Sequence, residues 1–263
     1  MRISSCIAIG AAVAGAVALS GQTAAGPANF EVASVKPSSP QGRMGIGLFT
    51  YPGGRIVASS CPLEYLIEQA FDVQAFQVSG GPGWINSDRF DIEAKPPATS
   101  LSARSNPSSF KLPPNDEQRQ MLQTLLADRF QLKFHRETKE RPIYLLAKRN
   151  KAVKLQDAKD KNEYPWAGSV GGGAISGDGL AGTNISMAQL AKRLSQSLGH
   201  LVLDQTGLTG SFDFRFEYHS DDPHPDQISS IITSVQGIGL KLESSKGPVE
   251  TIVIDRAEKP SEN

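Results

Sequence analysis

The side chains able to do chemistry are few, and they are scattered. The densest group is His219-Ser220-Asp221-Asp222-Pro223-His224-Pro225-Asp226, with two imidazoles and three carboxylates in eight residues. Such a set could bind a divalent ion. Its prolines keep it extended between a strand and a helix, and ligand spacing alone is a weak signal. The expectation is a hydrophilic loop whose Asp226 caps the next helix. His135 closes an apolar strand built on Phe130, Leu132 and Phe134, with Asp128 and Arg129 close in sequence. It could serve as a general base. No elbow motif sets a Ser or Cys against it, so the expectation is a polar strand-end residue. The Gly-rich stretch from Val170 to Gly179 contains neither Gly-x-Ser-x-Gly nor a Gly-Lys-Ser/Thr ending, so it is not a nucleophile elbow or a phosphate loop. Cys61 stands before Pro62 at a helix start, where a thiolate is favoured, but a lone cysteine is more often a small buried hydrophobe. No motif calls for a cofactor, and no metal is expected to be required.

Asp91 and Asp213 invite an acid–base reading as a carboxylate pair. They stand, however, at matching places in two halves of the chain, and each is expected to satisfy the same backbone donors in its own half. The halves run from Gly53 to Lys148 and from Gly179 to Arg256. Each opens with a strand and a helix. Leu63, Leu66, Ile67, Ala70 and Phe71 lie on one face of a helix over 62–71, and Met187, Leu190, Ala191, Leu194 and Leu198 on one face of a helix over 186–198. Ser186 with Gln189 forms a capping box, and Gly199 stops the second helix. Two strands follow, 76–78 and 89–94 in one half, 201–203 and 211–216 in the other. Between them Trp84 and Leu208 each come after a Gly-containing turn and are read as plugs at the same end of each lobe. Helices over 116–128 and 226–236 lead into hairpins, 130–134 with 143–147 and 238–242 with 249–254. Pro142 and Pro248 stand where each last strand begins, and a missing N–H is tolerated there.

The expected fold is therefore α+β, with a duplicated β-α-β-β-α-β-β unit. Two small mixed sheets would each carry helices on one face. The first lobe spans 26–148 and includes an N-terminal strand. A linker or long loop spans 149–178, and the second lobe spans 179–263. Residues 95–115, rich in Pro, Ser and Ala, read as a surface loop.

The chain of 263 residues carries 27 Lys+Arg against 27 Asp+Glu, so it has no basic field to hold nucleic acid. Met1-Arg2 and the apolar run to Leu19, followed by Thr23-Ala24-Ala25, have the form of a secretory signal cleaved after Ala25. The run is short for a membrane span, and none is expected in the mature chain. Cys6 lies within the signal, so the mature chain has only Cys61 and no internal disulfide. The expected location is the periplasm or beyond.

Two resemblances follow. From Asn184 to Ile254 the chain resembles the short N-terminal domain shared by secretins and TonB-dependent receptors, through the helix Met187 to Gly199 and the strand end Val202-Leu203-Asp204. The whole mature chain resembles the uncharacterised secreted protein family expanded in soil Acidobacteria. The matching residues are Phe30-Glu31-Val32-Ala33-Ser34-Val35-Lys36-Pro37, Gly80-Gly81-Pro82-Gly83-Trp84, Leu125 to Phe130 with Phe134-His135, Asp204-Gln205-Thr206-Gly207-Leu208-Thr209-Gly210, and Gly247-Pro248-Val249-Glu250 to Asn263. That family has no established activity or catalytic residues. Some of its relatives are joined to membrane sensor-type metallopeptidases, which implies an envelope role. The expectation is a non-enzymatic interaction module whose partner is a transporter, secretin or membrane sensor, with Trp84, His135 and Asp204 as binding candidates. One alternative is a periplasmic hydrolase using His135 or the His219–Asp226 loop. The other is a small-ligand binder walled by Trp84 and Trp166 between the lobes.

Overall fold

The helices fall where apolar spacing and capping residues put them. A computed structural model describes residues 28–39, 46–102, 113–149, 153–170, 179–217 and 227–261. The proposed signal, the 171–178 stretch and the His219–Asp226 loop lie outside them. In chain order the elements are β1 (Val32–Pro37), β2 (Gly47–Thr50), β3 (Ile56–Cys61), α1 (Leu63–Phe71), β4 (Val78–Gly80), α2 (Trp84–Ser87), β5 (Phe90–Lys95), α3 (Asp116–Arg129), β6 (Lys133–Lys148), β7 (Gln156–Asp157), β8 (Trp166–Gly168), β9 (Gly179–Ile185), α4 (Met187–Leu198), β10 (Val202–Asp204), β11 (Phe212–Glu217), α5 (Gln227–Gly237) and β12 (Leu240–Arg256). Ser186 and Gln189 form the capping box of α4, which ends at Gly199 with φ 64°. Asn115 and Gln118 cap α3 in the same way.

The chain is mixed α/β, but its described residues build three sheets rather than two. The first is antiparallel, β1-β5-β3-β2. The third is antiparallel, β7-β11-β9-β8. Between them lies a mixed sheet, β10-β6-β12-β4. The segment expected to be a linker supplies β7 and β8, two strands of the third sheet. The insertion after β5 is not wholly a surface loop. Ser102 is fully buried, and its backbone N–H and hydroxyl both donate to Glu117 on α3. Its carbonyl lies so close to Gly54 that a Cβ there would sit 2.5 Å away, and Gly54 has φ +73°.

The expected hairpins do not form. Residues 133–148 make one unbroken strand, and so do 240–256. These two, β6 and β12, pair with each other antiparallel along their whole length, a ribbon about 50 Å long at ~3.3 Å per residue. His135 to Arg141 contains no Gly, Asn or Asp to support a tight turn, so β6 runs straight on. Pro142 faces Lys246 and Pro248 faces Glu140, one on each side of the Arg141–Gly247 pair. Both prolines stand in mid-strand and are exposed, where matched positions at the entry to each last strand were expected to be buried or half-buried.

The ribbon divides its side chains between two cores. Ile252 and Ile254 of β12 pack with α1, α3 and the first sheet. Leu146 of β6 and Leu240 at the start of β12 pack with α4, α5 and the third sheet. Each core thus contains side chains from the distant half of the sequence. Leu66 and Leu190 are fully buried at matching places in the two cores.

Candidate functional site

Asp91 and Asp213 each stabilise a kink in a neighbouring strand. In β3 the pairing with β5 shifts between Ala58 and Cys61, and Ser60 takes φ 49°. In β9 the pairing with β11 shifts at the same distance before the helix, and Asn184 takes φ 47°. Such bulges leave an unpaired donor. The Ser60 N–H donates to Asp91 Oδ1 at 2.8 Å, and the Asn184 N–H donates to Asp213 Oδ1 at 2.8 Å. The second Asp213 oxygen accepts from the Lys159 N–H at 3.0 Å. These two backbone donors hold the Asp213 carboxyl below its ordinary range. The carboxylates are therefore engaged in separate sheets and do not form an acid–base pair.

Asp204 ends β10 and accepts from the Thr206 N–H at 2.9 Å, while the Thr206 hydroxyl accepts from the Leu208 N–H at 3.1 Å. Gly207, at φ 65°, lets this turn close. The turn brings Leu208 against the second core. Trp84 opens α2 and packs edge-on against Phe90, with ring centroids 6.1 Å apart, on the first core. The Lys259 ammonium stands 5.9 Å from its ring and also meets Asp88. Trp84 and Leu208 thus each pack against a core of their own. Trp166 lies on β8 in the third sheet, paired with Thr183.

His135 is exposed on β6. Its Nδ1 lies 2.9 Å from Asp255 and its Nε2 3.4 Å from Glu137. Hydrogen bonds to these two carboxylates push the imidazole pKa up, so the arrangement favours a charged ring that donates from both nitrogens over a free base. Glu137 is in turn held below the usual range by Lys139 and His135. Asp128 and Arg129 stand elsewhere, on a groove of about 260 Å³ between α3 and the segment Asn29–Ala33. Cys61 is fully buried, with Gly47 and Ser59 carbonyls 3.3 Å from its sulfur, and burial raises its thiol to about 11. Its position before a helix does not make it a thiolate. Where the halves meet, Arg141, Pro142, His200 and Phe76 line a cavity of about 130 Å³. Among the described residues, no group of three His, Cys, Asp or Glu side chains is placed to hold a metal ion. No described helix is long and apolar enough to cross a membrane.

The ribbon strands β6 and β12 are only partly covered on their outer sides. β10 covers β6 only over Tyr144–Leu146, and β4 covers β12 only over Ile252–Ile254. Among the described residues, the outer side of β12 over 240–244 and the outer side of β6 over 133–137 have no paired strand. The first edge carries the Lys241–Glu243 ion pair, and the second carries Lys133, His135, Arg136 and Glu137. The strand 249–254 is paired on both sides at Ile252–Ile254. The signal for the β6 edge is the unbroken polar run from His135 to Arg141, which lacks turn residues and so carries the strand on past Phe134.

These features define a mixed α/β protein in which two antiparallel sheets are tied by one long shared ribbon. A family model described as a protein of unknown function, DUF3738, matches residues 64–257, and the chain belongs to that family. The match begins inside α1 and ends just past β12. No curated protein and no solved structure matches the chain.

Proposed function

We propose that this protein is an exported, non-catalytic interaction module of the cell envelope that takes up a strand of a partner protein at a ribbon end. The observation that carries the reading is the pair of uncovered strand edges, 240–244 of β12 and 133–137 of β6. An added strand satisfies the free N–H and C=O groups of such an edge, and the flanking charges discourage casual association. Export follows from the signal-like residues 1–25, with Gly26 as the mature start. The partner class, a transporter, secretin or membrane sensor, rests on the likeness of the second half to the secretin and TonB-receptor short domain. We read the two halves as an internal duplication whose last strands have been exchanged. The matched Asp-held bulges and the two prolines flanking Arg141–Gly247 support this reading.

The test is cross-linking and pull-down from an envelope fraction, with Lys241→Pro and Leu242→Pro as variants. Along an antiparallel strand successive residues direct their N–H alternately toward and away from the paired neighbour. One variant breaks the ribbon; the other leaves the fold intact and abolishes capture. The reading fails if the purified protein recovers no partner and hydrolyses a substrate with loss on His135→Ala. N-terminal sequencing of exported protein should begin near Gly26, and a retained Met1 overturns export by cleavage.

A further inference from the structure

We propose that the third sheet carries a binding groove for an acidic glycan, a ligand distinct from the strand taken up at the ribbon edges. β7 pairs with β11 only at Asp213 and Phe212, through Gln156 and Asp157. On the other side of that short pairing, the chain at Lys154 and Leu155 runs beside Phe214 and Arg215, and a groove of about 590 Å³ opens there. Lys154, Lys159 and Arg215 line it, with Gln156 and Thr183 between them. Its one carboxylate, Asp213, is already committed through both oxygens to the Asn184 and Lys159 backbone N–H groups. Arg215 meets Glu217 at 2.7 Å, whereas no ion pair engages the ammonium of Lys154 or Lys159 among the described residues. A second groove of about 420 Å³ shares Lys154 and adds Arg149, Thr233 and Gln236 beside Phe216. Four cations therefore line two grooves that share Lys154, against the carboxylates of Asp213 and of Glu217, the partner of Arg215.

The lining selects the ligand class. An extended acidic peptide would require pockets for alternate side chains. The surface between these cations instead presents the amides of Gln156 and Gln236 and the hydroxyls of Thr183 and Thr233. Amides and hydroxyls match the hydroxyls of a sugar chain, and spaced ammonium and guanidinium groups match carboxylates or sulfate esters along it.

The experiment is titration calorimetry of the full chain with oligogalacturonate, its methyl ester, dextran sulfate and poly-glutamate. Oligogalacturonate or dextran sulfate should bind, and the better of the two identifies carboxylate or sulfate ester as the charged group. The uncharged methyl ester should bind at least about tenfold more weakly. Affinity should fall as salt is raised. The triple variant Lys154→Gln, Lys159→Gln, Arg215→Gln should lose about tenfold or more; if it does not fold, Lys154→Glu alone should show the loss. Absence of binding by both acidic glycans, equal binding by poly-glutamate, or unchanged affinity in a folded variant overturns the proposal. None of these outcomes bears on strand capture at the ribbon.

Discussion

The first and third sheets solve the same local problem and then diverge. In both, the strand before a helix is kinked at a residue with positive φ, and an aspartate on the neighbouring strand accepts the stranded N–H. The remaining partners differ. Asp91 turns to the Ser38 hydroxyl, at 3.0 Å, beside the six-residue strand β1. Asp213 turns to the Lys159 N–H beside β7, which pairs over only two residues. Two residues beyond the aspartate, the first sheet carries Glu93, joined to Arg55 by a salt bridge, and the third carries Arg215, joined to Glu217 on its own strand. A long edge strand covers one sheet; a short one leaves the other open with cations beside it. The shared kink belongs to the architecture, and the difference between the sheets is where a binding surface arises.

The comparison can be broken most forcefully at the cores. Leu66→Ala and Leu190→Ala should each cost about 2–5 kcal/mol in urea unfolding, because both side chains are fully buried. Ile252→Ala should fall in the same range and perturb the first core, including α1, although it lies in the distal half of the sequence. Methyl NMR shifts confined to the third-sheet core would contradict the exchanged ribbon.

A smaller effect is expected at Glu68 of α1. Burial and the neighbouring Glu64 raise its carboxyl from 4.5 to about 7. A raised folded value means that stability is highest below pH 4.5 and is lost as pH rises through about 7. Glu68→Gln should therefore stabilise the protein by about 1 kcal/mol at pH 8 and not at pH 4, after allowance for solvent screening. Denaturant melts at the two pH values check the sign.

Asp213→Ala should lower the melting temperature at neutral pH by freeing two backbone donors. Its folded value is depressed below 3.8, so its contribution is present above that pH and disappears as acid titrates the folded carboxylate. Wild type and variant should converge in strong acid. Asp91→Ala should behave alike at neutral pH if the two kinks are equivalent; a wide gap between the variants would separate them.

The smallest effect is expected for His135→Ala. The raised imidazole value makes its contribution complete below about pH 6.5 and lost as pH rises through the folded value. The melting difference from wild type should be slight and should vanish in alkali. A large loss of stability there would mean that the His135–Asp255 contact holds the ribbon end together.

Short-range patterns in the sequence were enough to place α1, α3 and α4, because apolar spacing and caps act within a few residues. They also placed Asp91 and Asp213 as backbone acceptors and Cys61 as a buried side chain. The same patterns could not choose between two hairpins and an exchanged ribbon. Both use the same alternating faces, and each core accepts Ile252 or Leu146 without regard to which part of the chain supplies it. Only the missing turn residues between His135 and Pro142 favoured the ribbon, and that signal is an absence. In the sequence, Lys154 and Lys159 read only as part of a linker or long loop over 149–178. Their convergence with Arg215 depends on where β7 stops pairing with β11, a property of the assembled sheet that no local stretch of the chain encodes.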